Sequence, residues 1–183
     1  KNNIDKLNFN FSNNAKKACP KISFLHLDID SVPKCLNPEI DNYFSEMGVK
    51  KNNFFTDISN YLSYETGQPT HCYEAKKVKS GLKLELLSCK QKFETLHGKI
   101  IDLEEGSLVF LNEDNQIVNL AGLIGANDAS CKKNTRSIIL ECAYFDPEAI
   151  LGKSVKYDLN SEAAHKFERN VDFDSHNFVI NRF

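Results

Sequence analysis

Apolar residues recur along this chain at two different periods, and the switch between them divides it. Ile22, Phe24, Leu25, Leu27 and Ile29 nearly alternate with polar positions until Asp30, Ser31 and Pro33 close the run, which predicts a strand followed by a turn. The period then lengthens. Asn37-Pro38-Glu39 supplies a cap, a proline for the first helical position and an early acid, and Ile40, Tyr43, Phe44 and Met47 follow at helical spacing until Gly48 stops the pattern. A second helix, from about Ser59 to Thr66, is predicted because Ile58, Tyr61 and Leu62 share a face and Gly67 with Pro69 ends it.

From Leu82 to Phe145 the short period returns. Strands are predicted around Leu82/Leu84/Leu86, Ile100/Ile101, Ser107 to Leu111, Gln116 to Leu120 and Ser137 to Phe145, with Glu113-Asp114-Asn115 as a hairpin turn. Asp146-Pro147-Glu148 repeats the helix-start signature and opens a helix through about Tyr157, and a shorter one begins at Asn160 or Ser161. Two helices, five or so short strands and two more helices, without alternating βαβ units, predict an α+β domain with an antiparallel, barrel-like β core and flanking helices.

Residues 1–17, rich in Asn and Lys, read as a leader or edge segment, with the ordered domain expected over 18–183. The chain starts at Lys1 and closes on Phe178, Val179 and Phe183, which share a helical face, so it reads as a piece of something longer. At 183 residues it is long enough for one core. No apolar run approaches the roughly 20 residues that cross a bilayer.

A formal charge of −2, from 23 basic and 25 acidic residues, excludes the basic stripe of a free-standing nucleic-acid binder, so any RNA contact must be local or shared with other chains. Six cysteines without a C-x-x-C pair read as reduced, buried thiols of a cytosolic protein. No metal site is expected, because the five histidines and six cysteines lack ligand spacing, and neither a Walker loop nor a Rossmann fingerprint is present for ATP or NAD.

Four features carry candidate chemistry. Glu141 shares a strand face with Ile139, Ala143 and Phe145, where a carboxylate is either a pocket wall or a solvent-facing side chain. His71 follows the helix stop Gly67-Gln68-Pro69, a reversal at which an imidazole suits acid–base work or a hydrogen bond to an ester. Gly122 and Gly125, in Ala121-Gly122-Leu123-Ile124-Gly125-Ala126, permit a ligand to approach the backbone or else form a plain bulge. Ser161, Ala164, His165 and Glu168 fall on one helical stripe, which is a reactive constellation or a solvated face.

Read together, Asp57-Ile58-Ser59-Asn60-Tyr61, Gly67-Gln68-Pro69-Thr70-His71, Ala121 to Gly125, Leu140 to Pro147 and His165 to Asp172 resemble, in order and spacing, the B3/B4 region of the β subunit of bacterial phenylalanyl-tRNA synthetase. The resemblance implies a closed or nearly closed β structure with helices around it. It also implies an editing site that hydrolyses tyrosine wrongly attached to the phenylalanine tRNA, with Glu141 and His71 as the reacting-site pair. Glu141 would receive the phenolic hydroxyl together with the Gly122 N–H, Gly125 would keep the wall thin, Ser161 and Ala163 would line the pocket, and Asn60 and His71 would lie near the ester and amino group. The partners implied are the 3′ end of tRNA(Phe) carrying tyrosine and the synthetase α subunit, in a cytoplasmic heterotetramer whose ATP and magnesium serve aminoacylation outside this segment. The sequence departs from the family at Ala121 and Ala126, at Ser161-Glu162-Ala163-Ala164 and at Leu96-His97-Gly98. Two other readings stay open: a module that keeps the fold without hydrolysis, and a free-standing relative acting in trans.

Overall fold

The structure, a computed structural model, describes residues 9–183. Strands β1 (Asn10–Asn13) and β2 (Lys21–Asp28) precede helices α1 (Pro38–Glu46) and α2 (Phe54–Thr66), then β3 (Thr70–Glu74) and the single turn α3 (Ala75–Val78). Six strands follow: β4 (Gly81–Leu86), β5 (Gln91–Glu94), β6 (Ile100–Leu103), β7 (Leu108–Asn112), β8 (Ile117–Leu120) and β9 (Ile124–Gly125). The chain ends with β10 (Ser137–Tyr144), α4 (Pro147–Ile150), α5 (Lys153–Lys156), α6 (Glu162–Phe167) and α7 (His176–Arg182).

The α+β class is as expected; the barrel is not formed among the described residues. The strands divide into a five-stranded sheet ordered β1-β4-β7-β8-β9, a three-stranded sheet ordered β2-β10-β3, and the hairpin β5-β6. Pairing is antiparallel apart from β1 on β4, which is parallel. Closure fails because β10 spends both of its edges on β2 and β3, leaving no ladder to the larger sheet.

The two main sheets instead face one another across one apolar core. Leu84 and Phe110 meet Tyr73, Ile139 and Ala143 there. The opposite face of β10, Ile138 and Leu140, is covered by Phe55 of α2 and by Ile180 of α7. Burial on both faces explains why β10 reads as a nearly continuous apolar run. It also means that a charge on either face, Glu141 included, is inside the protein.

β1 lies within the segment read as a leader, at the edge of the large sheet, and Phe9 and Phe11 stack on Phe24 with ring centroids 5.2 and 4.9 Å apart. Ala15 and Cys19 are both buried, so packing runs across position 18; residues 1–8 of that segment lie outside the described residues. Cys72, Cys131 and Cys142 are buried as expected, whereas Cys35 and Cys89, outside any helix or strand, are exposed. Helix α2 begins at Phe54, earlier than its apolar stripe predicts, because the Asn53 side chain accepts from the Thr56 N–H and caps it. The helix expected from Asp146 to Tyr157 is two short helices. Leu151 leaves the helical region and Gly152, at φ +72°, turns the chain between them, with the Gly152 N–H donating to Glu168 Oε1 at 3.1 Å.

Candidate functional site

The segment after Gly67 is a strand, not an exposed reversal. Gly67 caps α2 in the left-handed region at φ 78°, and the buried Gln68 donates from Nε2 to the carbonyls of Pro69 and Ala143, pinning the start of β3 against β10. The register that follows sets His71 directly opposite Glu141. Paired residues of antiparallel strands project from the same face, so imidazole and carboxylate stand side by side in the space between the two sheets. Tyr73, two residues beyond His71, projects from that face as well and packs edge-on to its ring at 4.4 Å.

Opposite them lies the hairpin β8–β9. Gly122, at φ 72°, forms its turn, and a methyl there would lie 2.6 Å from Ile150 Cδ1. Gly125 backs onto the imidazole: a methyl on it would lie 2.5 Å from His71 Cε1. The glycine pair is therefore a hairpin turn plus a close approach, rather than a bulge.

These elements enclose an inner cavity of about 50 Å³, with Glu141, His71, Asn119, Gly122, Gly125 and Phe145 among its walls and Ala163 and Phe167 of the α6 region at its side. An outer cleft of about 430 Å³ adjoins it, where Asn60, Asn127, Lys132, Asn160 and Ser161 are found. Thr70, His71, Leu123, Ile124, Gly125 and Ala163 border both, so they form the neck between the two spaces.

The expected residues thus fall into two groups: His71, Glu141, Gly122, Gly125 and Ala163 at the inner cavity, Asn60 and Ser161 in the outer cleft. The Ser161 stripe is not a reactive constellation. Ser161 is the N-cap of α6, its hydroxyl donating to the Leu123 carbonyl at 2.6 Å and accepting from the Ala164 N–H at 3.1 Å, while Ala164 is buried and His165 exposed. Those bonds tie α6 to the hairpin that roofs the cavity.

Electrostatics inside the cavity is ruled by desolvation. Burial pushes the Glu141 carboxyl up to about 7, against a smaller downward effect of the Tyr73 hydroxyl. Burial drives the His71 imidazole down to about 4, so it is neutral at pH 7, and its Nε2 has no protein partner. A neutral imidazole accepts or donates a hydrogen bond but carries no charge to a substrate.

Sequence reasoning missed two members of this site. Tyr73 Oη donates to Glu141 Oε2 at 2.5 Å and accepts from Asn119 Nδ2 at 2.9 Å. Asn119, 4 % exposed, faces the cavity from β8 and leaves its Oδ1 without a partner. Both had a faint signal: Tyr73 has the strand parity of His71, and Asn119 interrupts the apolar run Ile117, Val118, Leu120. Among the described residues no group of three or more His, Cys, Asp or Glu is placed to hold a metal ion, and no helix is long and apolar enough to cross a membrane.

The chain is thus an α+β domain with a buried acid in the wall of a cavity beside a polar cleft, and comparison with known proteins specifies its family. The B3/4 domain model matches residues 33–183, and the chain belongs to that family. It is 34 % identical over 158 residues to the phenylalanine–tRNA ligase beta subunit of Zymomonas mobilis, covering 86 % of this chain and 20 % of that protein. The corresponding subunit of Aquifex aeolicus is 35 % identical over 129 residues, 70 % of this chain and 16 % of the relative. The chain therefore spans about a fifth of the length of the relatives it matches. An N-terminal fragment of the phenylalanyl-tRNA synthetase beta subunit from Pyrococcus horikoshii has the same fold, with a TM-score of 0.51 at 8 % identity over 87 % of this chain and 48 % of the fragment.

Proposed function

We propose that this domain is the editing module of a phenylalanine–tRNA ligase β subunit and hydrolyses the ester joining tyrosine to tRNA(Phe). The observation that carries the reading is a buried carboxyl group, Glu141, in the wall of a cavity that adjoins the outer cleft at His71. Family membership and the relatives' names support it.

The chemistry requires such a site. A synthetic pocket shaped for phenylalanine rejects an analogue that adds one hydroxyl by only about 10²-fold. A second pocket discriminates better by requiring the hydroxyl. A tyrosine phenol in the inner cavity donates to Glu141 and meets the Gly122 N–H, whereas phenylalanine leaves the buried acceptor unpaired at a cost of roughly 1 to 3 kcal/mol. The ester, amino group and terminal ribose then occupy the outer cleft near Asn60 and Ser161. His71 at the neck holds water or ester by its free Nε2 and is not a nucleophile, and the Ser161 hydroxyl in the cleft is committed to the Leu123 carbonyl and the Ala164 N–H. Its neutral state suits that task. The tRNA and the α subunit are the partners of the whole cytoplasmic ligase, whose ATP and magnesium serve aminoacylation; no step here runs through them.

One observation favours a second reading, a module that keeps the fold without hydrolysis. About 50 Å³ holds on the order of four water molecules, so a phenol ring requires the walls at Phe145, Phe167 or Leu123 to give. Deacylation of Tyr-tRNA(Phe), with Phe-tRNA(Phe) as control, decides between them. Selective loss of the tyrosyl ester that vanishes in Glu141→Ala supports editing; no hydrolysis by the protein containing this domain leaves the structural module.

A further inference from the structure

A carboxylate is a useful selector only if something fixes it, and here the fixing group is itself a phenol. Tyr73 is 0 % exposed and stands behind Glu141 rather than in the cavity wall. Its hydroxyl has one proton. That proton is given to Glu141 Oε2 at 2.5 Å, so the oxygen can only accept from its other neighbour, Asn119, 2.9 Å away. The Asn119 amide must therefore present its NH₂ group to Tyr73, which turns Oδ1 the other way. Oδ1 is buried, without a partner, and on a residue that lines the cavity. A carboxylate accepts about four hydrogen bonds and Tyr73 uses one, so acceptor capacity is left on Glu141 as well.

We propose that Tyr73 is a positioning residue: its hydroxyl, held between Asn119 and Glu141, fixes both groups so that the inner cavity presents two acceptors, the Glu141 carboxylate and Asn119 Oδ1, and admits only a ligand that donates a hydroxyl proton. The assignment of that ligand as a tyrosyl group rests on the editing reading; the orientation of the acceptors does not. Three observations converge on it. The bonds run in series across two sheets, and with Glu141 ionised each link has one direction. Burial and the neighbouring acid hold the Tyr73 phenol well above its ordinary range, so it stays a donor throughout the physiological range. Its ring also rests edge-on against His71, so one side chain braces the imidazole, the acid and the amide.

The test is Tyr73→Phe, which removes one atom from a buried ring. In the 183-residue chain, the Glu141 carboxyl is titrated by carbon-13 NMR, and binding of L-tyrosinamide is compared with that of L-phenylalaninamide. Loss of the hydroxyl that pulls the carboxyl down is expected to move the Glu141 midpoint up by about one pH unit and to cut the preference for tyrosinamide about tenfold, with far-ultraviolet circular dichroism unchanged. An unmoved midpoint overturns the proposal whatever the domain edits. A moved midpoint with equal binding of the two amides in the wild type removes the editing reading and overturns the selection of a hydroxyl donor, leaving Tyr73 to position the carboxyl alone. Should Tyr73→Phe fail to fold, Asn119→Leu makes the same test: without its donor the Tyr73 hydroxyl weakens, and the Glu141 midpoint rises by a smaller step.

Discussion

Two buried groups that face each other, Glu141 and His71, respond to acid in opposite directions, and their contributions can be separated. Burial raises the Glu141 carboxyl from 4.5 to about 7, so the folded state prefers its protonated form. The associated stability is fully present below pH 4.5 and is lost as pH rises through 7. At about 1.4 kcal/mol for each pH unit between the two values, the loss is on the order of 3 kcal/mol. His71 is lowered from 6.5 to about 4, and the folded state prefers neutral imidazole. Its contribution is present above pH 6.5 and disappears as pH falls through 4, again on the order of 3 kcal/mol. Between pH 4.5 and 6.5 the two slopes oppose each other in the wild type.

Urea unfolding of the wild type, Glu141→Gln and His71→Gln from pH 4 to 8.5 reads each term as a difference, in which all other titrations cancel. Stability of Glu141→Gln relative to wild type is expected to climb by about 3 kcal/mol as pH rises from 4.5 to 7.5 and then level off. That of His71→Gln is expected to climb by a similar amount as pH falls from 6.5 to 4. A flat Glu141 difference refutes the desolvated cavity. If instead both variants lose stability relative to wild type near pH 5.5, an imidazolium–carboxylate pair forms inside the site and the neutral-histidine argument falls.

Two further outcomes follow from packing. Gly125→Ala sets a methyl 2.5 Å from His71 Cε1, with the rigid ring rather than a flexible chain end as its neighbour, and should cost about 1 to 3 kcal/mol in urea unfolding while lowering deacylation through displacement of the ring. Ser161→Ala removes the α6 cap and its bond to Leu123, and a loss of about 0.5 to 2 kcal/mol is expected; Ser161→Thr should restore most of it, because the hydroxyl and not the side-chain volume makes both bonds.

Local chemistry settled much of this protein in advance. Asn37-Pro38 and Asp146-Pro147 start helices because side-chain oxygen and missing N–H act within one turn, and both caps form with bonds to the residue two positions on. Alternation put Glu141 on the face of Ile139 and Ala143, and the motif order pointed to the family whose model matches residues 33–183. Signals failed where partners are distant. β3 was hidden because Gly67-Gln68-Pro69 mark a stop while the pairing of β3 with β10 is non-local. The helix after Asp146 is shorter than its local signals imply, because nothing local shows Glu168 accepting from Gly152. A barrel was expected from strand count, yet closure depends on which edges pair, and β10 uses both of its own.

The site divides along the same line. Sequence supplied the residue types that border it, since a glycine's freedom or a carboxylate's charge belongs to the residue itself. Only the fold made Glu141 a buried acid and His71 a neutral base, because desolvation is a property of what surrounds a group. Only the fold, too, joined Tyr73 to Glu141, 68 residues away, and Asn119 to Tyr73, 46 residues away. A hydrogen bond between two sheets leaves no period in either strand, so a tyrosine that holds the acid and one that merely fills the core are spelled the same way.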